Sequence, residues 1–137
     1  MWLLDVQGWT WREIEVHNRI YAAPQLWSHP AVMVEDSVLV FASPSRTREI
    51  SSAAALMTGV AQARMQMYTM DCSELSTHHR CSWQPVLDIT KSTPASSLHS
   101  VNVCEDTIVI FGGLSCRDDA QTANNSLVFV TPFWSPE

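Results

Sequence analysis

The chain has 137 residues, 46% of them apolar and 16% charged, and its 14 acids against 8 Lys plus Arg leave a net charge of −6. This is the size of one ordinary domain with enough apolar material for a core, which excludes a disordered chain. The acidic balance opposes phosphate-rich partners, so neither nucleic acid nor an anionic membrane surface is an expected partner.

No apolar run approaches the roughly 20 residues that cross a bilayer. The start, Met1-Trp2-Leu3-Leu4-Asp5, lacks the basic region of a secretion signal. Cys72, Cys81, Cys104 and Cys116 form no Cys-x-x-Cys pair and read as reduced thiols of an intracellular protein, cytoplasmic or nuclear. In that setting the glycosylation pattern Asn124-Asn125-Ser126 is a chance match.

In chain order, Trp2-Leu3-Leu4-Asp5-Val6 reads as a strand. Trp11 opens a second strand, with Trp11, Glu13 and Glu15 on one face and Arg12, Ile14 and Val16 on the other. A hairpin follows over residues 28–43, with the acid pair Glu35-Asp36 between its strands. The connection Pro44 to Arg64 is long. Its core, Ser51 to Arg64, carries good helix formers after a Ser cap but is interrupted by Gly59, so a short helix over 48–64 and a loop both stay open. Met67 to Asp71 reads as a strand, and Trp83 opens another running to Ile89, with Pro85 suited to a sheet edge. A second hairpin spans residues 98–113, then comes the strand Leu127-Val128-Phe129-Val130, with Trp134 beyond it.

The two hairpins are copies. Shifted by 70, His29 falls on His99, Glu35 on Glu105, Asp36 on Asp106 and Phe41 on Phe111, while Ser37 meets Thr107 and Val38 meets Ile108. Each copy reads as strand, two-acid turn, strand. Its second strand is continuously apolar, Val38-Leu39-Val40-Phe41 in one and Ile108-Val109-Ile110-Phe111 in the other. A strand apolar on both sides is buried on both sides, so each sheet is expected to lie between neighbours. With the later strand and the Trp-led strand, each unit has four strands, a to d. The predicted fold is all-β, a partial β-propeller of about two and a half blades. Residues 1–17 supply strands c and d of one blade, 28–89 a complete blade with the 44–64 insert, and 97–137 an incomplete next blade.

These residues resemble kelch repeats. Ile108-Val109-Ile110-Phe111-Gly112-Gly113 is similar to the double-glycine end of kelch strand b, and Asp5-Val6-Gln7-Gly8-Trp9-Thr10-Trp11 to the passage from strand c to the Trp of strand d. His29 and His99 stand where many kelch units carry a His in strand a. Paired glycines let the chain turn sharply, and the tryptophans are expected to fill space between blades. The stretch Trp2 to Ala31 is most similar to F-box and kelch-domain proteins, although no F-box is present. Ala42-Ser43 replaces the double glycine in the first unit, and Leu26 and Ser96 stand where an Arg is common before the His. That departure puts an arginine-lined pocket in doubt.

The resemblance implies a protein-interaction module rather than an enzyme, the substrate-recognition part of an F-box type cullin–RING ubiquitin ligase. Its partners would be proteins destined for ubiquitination, and the remaining blades if the chain is a piece of a ring. A cytoskeletal or trafficking scaffold without ubiquitin linkage is the alternative. Recognition would use the loops Asn18 to Trp27, Pro44 to Arg64, Thr90 to Ser97 and Leu114 to Asn124, with Trp27, Arg46, Arg48 and Arg117 the side chains best placed for a partner. The residues Cys72, His78, His79 and Cys81 are the sharpest metal-ligand candidates, but Cys-x5-His-His-x-Cys is no familiar zinc spacing and no metal or cofactor is expected. No GxSxG, GxxxxGK[ST] or GxGxxG motif occurs.

Overall fold

The computed structural model describes residues 1–23, 29–42, 65–86, 98–117 and 120–131. They are mostly β. In chain order the strands are β1 (Trp2–Asp5), β2 (Thr10–Glu13), β3 (Glu15–His17), β4 (Ala31–Val34), β5 (Ser37–Ala42) and β6 (Gln66–Asp71). Then follow a single helical turn α1 (Leu75–His78), β7 (Arg80–Trp83), β8 (Ser100–Cys104), β9 (Thr107–Phe111), β10 (Leu114–Arg117), β11 (Ala120–Ala123) and β12 (Leu127–Val130). A 3-10 turn covers Arg19–Tyr21.

The repeat is legible in the hydrogen-bond ladders. Ala31 pairs with Val40 and Val34 with Ser37. Seventy positions on, Val101 pairs with Ile110 and Cys104 with Thr107. Both hairpins turn on two residues, and in each the left-handed conformation falls on the Glu, with φ 51 at Glu35 and φ 53 at Glu105. A two-residue hairpin requires positive φ at its first turn position, which a side chain resists. Glu35→Gly and Glu105→Gly are therefore expected to raise stability by about 0.5–1 kcal/mol each, net of the chain entropy glycine adds. Urea melts of the two variants measure this; a loss of stability would mean the turn is not left-handed.

The first unit folds as the meander β4-β5-β6-β7, and β3 adds a fifth strand to its outer side, parallel to β7. The second unit is a three-stranded sheet in the order β12-β9-β8. Its third strand returns sooner: Val40 pairs with Tyr68, 28 residues on, whereas Ile110 pairs with Val128, 18 residues on.

The two sheets pack face to face. Leu39 and Phe41 of β5 and Met67 of β6, with Met65 beside them, meet Val101, Ile108 and Ile110 of the second sheet. Val32, Val34, Val128 and Val130 close the rim of this cluster. On the other side of the five-stranded sheet, Val40, Ala42 and Tyr68 are covered by Ala23, Trp83 and Val86. Leu39, Val40, Phe41 and Ala42 are thus all buried, as expected for a strand apolar on both sides, although a second sheet covers only the Leu39 and Phe41 face and the other is covered by Trp83 of the same sheet with Ala23 and Val86.

The second copy departs from that expectation. Ile108 and Ile110 are buried, but Val109 is half-buried and Phe111 is 48% exposed. Leu127 and Phe129 share this outer face, because Leu127 pairs with Phe111 and Phe129 with Val109. Only one face of the second sheet has a neighbour among the described residues.

Three further expectations are corrected. The strand opened by Trp11 does not run unbroken to Val16. The Ile14 amide still bonds Met1 O at 2.8 Å, but the Glu15 amide bonds His79 O at 3.1 Å. Ile14, 2% exposed, sinks between Cys72 and Cys81, so burial of one side chain hands the strand from the β1-β2 hairpin to the five-stranded sheet. Trp83 ends its strand rather than opening it; the last rung is Gln84 N–H to Thr69 O, and Pro85 follows with no N–H to give. Trp2, Trp9 and Trp11 do not fill space between sheets. They are 61%, 78% and 63% exposed, because no described sheet covers the β1-β2 hairpin.

Candidate functional site

The loops singled out for recognition fall in unequal places. Trp27, Arg46 and Arg48, the whole connection 44–64 with its open choice of helix or loop, and residues 90–97 lie outside the described residues. Within Asn18 to Trp27, Asn18 takes a left-handed φ of 53 and starts the 3-10 turn. This conformation suits Asn, whose short polar side chain tolerates it.

The segment Leu114 to Asn124, expected as a loop, is the hairpin β10-β11, in which Leu114 pairs with Ala123 and Arg117 with Ala120. Arg117 thus stands at the far end of β10; its side chain lies outside the described residues. The neck explains the paired glycines. Gly112 and Gly113 both have positive φ, 71 and 96. Gly112 N–H bonds Ser126 O at 3.1 Å, Asn124 N–H bonds Gly113 O at 2.8 Å, and the Asn124 carboxamide oxygen accepts Ser126 N–H at 2.9 Å. A Cβ on Gly112 would stand 3.2 Å from Asn124 O. In the first unit Ala42 occupies the Gly112 position, and there the strand runs one residue further, with Ala42 paired to Gln66.

A second feature lies at the outer side of the five-stranded sheet, an open depression between β3 and the β6-β7 connection that includes His17, Asp71, Glu74, Arg80 and Ser82. Arg80 holds Glu74 through two bonds, Nε to Oε2 and a guanidinium NH2 to Oε1 at 2.8 Å. His17 Nε2 lies 3.1 Å from Glu15 Oε1. The Arg80 hydrogen bond holds the Glu74 carboxyl below the usual glutamate range, and the same bond raises Arg80. At the β1-β2 turn, the Gly8 and Gln7 amides bonding its carboxylate likewise lower Asp5.

Lowered carboxylates favour the folded state above the unfolded pKa, and that contribution is lost as pH falls through the folded values. Acid should therefore release the Glu74–Arg80 pair only below the ordinary glutamate range. In Arg80→Gln the Glu74 midpoint, read by NMR titration of its side-chain carboxyl, is expected to return upward to that range. An unmoved midpoint would mean the pair does not form in solution.

The metal-ligand candidates do not converge. His78 Nδ1 contacts Thr77 Oγ1 at 2.9 Å, and His79 Nε2 contacts an Arg12 guanidinium nitrogen at 2.9 Å, both on the exposed side of the turn. Cys72 and Cys81 face inward, sulfur to sulfur at 3.6 Å. Among the described residues no three His, Cys, Asp or Glu side chains gather as a metal would need. Burial pushes the Cys81 thiol up to about 12, so it stays protonated at neutral pH.

His99, 5% exposed, is buried one residue before β8, and His29 is half-buried two residues before β4. Sequence reasoning missed the Arg12–His79 contact, which ties the β1-β2 hairpin to the β6-β7 turn; nothing in the spacing of two residues 67 apart signals it. It also missed the β10-β11 hairpin. The apolar and small residues at Leu114, Cys116, Ala120 and Ala123 were a weak signal beside the stronger strands.

No described helix is long and apolar enough to cross a membrane. The chain matches no family model.

Proposed function

We propose that this chain is an arc of a kelch-type β-propeller that recognises protein partners, and that it is the substrate-recognition part of an F-box type cullin–RING ubiquitin ligase. Its stretch Trp2 to Ala31 resembles the F-box and kelch-domain protein called "just one F-box and Kelch". The observation that carries the reading is the shift-70 repeat: two hairpins of identical register, each turning on a left-handed Glu, in sheets stacked face on face. The order of stacking supports it. One face of the first sheet, through Leu39 and Phe41, covers the second sheet's Ile108 and Ile110, the repeat mates of Val38 and Val40. The repeat mates of Leu39 and Phe41 are Val109 and Phe111, on the outer face. A stack that joins unlike faces leaves the last sheet open to a further one, and this chain would be a piece of the closed ring. Connections rising from such a stack offer a rigidly held binding face.

The test is to express the tagged chain in cells beside a form with Arg46, Arg48 and Arg117 changed to alanine. Proteins held by the first and lost by the second are the expected clients. An excess of these 137 residues, added beside the ligase, should shield those clients and lengthen their half-lives. Equal capture by both forms would remove the arginines from recognition. Capture with half-lives indifferent to inhibition of cullin activity would refute the ligase link and leave a scaffold of cytoskeletal or trafficking type.

A further inference from the structure

The facing cysteines of the β6-β7 connection carry an inference independent of partner binding. Met70 pairs with Trp83 and Asp71 with Ser82, a register that sets Cys72 opposite Cys81. The Gln84 N–H to Thr69 O bond marks the 69/84 pair as hydrogen-bonded. Counting along the alternation, 72/81 falls on a non-hydrogen-bonded pair, where opposing Cα atoms come closest, about 4.5 Å. That separation lies within the range a disulfide spans, about 4.4–6.8 Å between Cα atoms.

The rest of the geometry agrees. Cys81 donates its S–H to Cys72 Sγ at 3.6 Å. Both thiols are free and buried, Cys72 8% and Cys81 3% exposed, packed with Ile14. Cys72 is anchored through its main chain, its N–H on Asp36 O at 2.7 Å and its carbonyl accepting Leu75 N–H at 2.9 Å. Main-chain bonds that hold one cysteine still keep its sulfur on its partner.

We propose that Cys72 and Cys81 form a site of reversible oxidation, closing to an intramolecular disulfide with hydrogen peroxide as the oxidant. The Cys72 sulfur, the acceptor of the S–H bond and the more exposed of the two, attacks one peroxide oxygen. The O–O bond breaks, one water leaves with the thiol proton, and Cys72 becomes a sulfenic acid. The Cys81 sulfur then attacks the Cys72 sulfur; the S–S bond forms, the S–O bond breaks, and hydroxide departs with the Cys81 proton as a second water. Two thiols lose two electrons and two protons, and the peroxide is reduced to two waters.

Buried thiols react only when the structure opens. Here the opening is local, because two paired residues and the Gln84 rung hold β7 to β6. Burial, which keeps the Cys81 thiol protonated to about 12, makes the closing step wait on that opening. Once formed, the bond ties β7 to β6, and β3 with it through the β3-β7 ladder.

The experiment treats the folded, reduced chain with limiting hydrogen peroxide, alkylates the remaining thiols and digests with trypsin. Cleavage after Arg64, Arg80 and Lys91 separates peptide 65–80, which carries Cys72, from peptide 81–91, which carries Cys81. The expected result is a disulfide-linked 65–80/81–91 pair that dithiothreitol separates, with Cys104 and Cys116 recovered alkylated. This link should exceed any other pairing about tenfold in the folded chain and lose that preference in denaturant. Three results would overturn the proposal: Cys72 and Cys81 recovered alkylated, Cys72 recovered unlinked as sulfinic acid, or the same mixture of pairings in folded and denatured protein.

Discussion

Phe41→Ala is expected to cost about 3–5 kcal/mol, a large share of the roughly 5–15 kcal/mol that holds a domain together, while Phe111→Ala costs about 1 kcal/mol or less. The two phenylalanines are repeat mates in sequence, so local propensity, turn chemistry and neighbours offer little reason for a difference. What separates them is their surroundings. Phe41 is wholly buried, lying with Leu39, Met65 and Met67 against Val101, Ile108 and Ile110, and its loss leaves a cavity between two sheets. Phe111 is 48% exposed and gives up mostly surface already in water. Urea denaturation followed by circular dichroism measures both, with the slope against denaturant compared to confirm that each variant still unfolds from a compact state. Equal costs would mean that the outer face of the second sheet is covered in solution by something that Phe111 touches.

The second large effect is expected at the neck of the β10-β11 hairpin. Gly112→Ala forces a side chain into a φ of +71 and places its Cβ 3.2 Å from the Asn124 carbonyl oxygen. The left-handed conformation alone costs about 1–2 kcal/mol. The crowding adds to it, because Asn124 is fixed by its own amide on Gly113 O and cannot withdraw without breaking that bond. The loss should be local first. Amide exchange of Leu114 to Ala123 is expected to quicken before that of β8 and β9, since the neck bonds hold the hairpin to the sheet and not the sheet to itself. The reverse change in the other unit, Ala42→Gly, is expected to cost about 1 kcal/mol for a different reason, the freedom glycine brings to a buried strand residue. An unchanged exchange pattern in Gly112→Ala would mean the glycine is there for no conformational reason.

Much of the fold was legible because its signals are local. Alternation and β-branched runs placed β4, β5, β8, β9 and β12 close to their observed bounds, and β6 begins at Gln66, one residue before the reading that starts it at Met67. The shift of 70 anticipated two ladders of the same register, since a two-residue turn fixes which residues face each other. The double glycine pointed to a sharp turn, and its positive φ values bear that out. Less of the candidate site was legible. The arginine and tryptophan positions follow from loop placement alone, and only the main chain of Arg117 lies among the described residues. Cys72 and Cys81 stand out in sequence as possible ligands, yet their spacing does not tell that both turn inward while His78 and His79 turn out; that follows from the β6-β7 register and the left-handed φ of 55 at His79.

Strand identity, turn position and the repeat were set by the amino-acid sequence, because hydrophobic period and turn chemistry act over a few residues and need no distant partner. Which apolar faces are buried was decided only by the tertiary structure. The β5 and β9 strands carry the same pattern, but among the described residues β5 is covered on both sides and β9 on one. The break at Ile14, the parallel pairing of β3 on β7 and the exposure of Trp2, Trp9 and Trp11 have the same origin. A side chain's burial depends on what lies across from it, and at sequence separations of tens of residues that is a property of the assembled sheets alone.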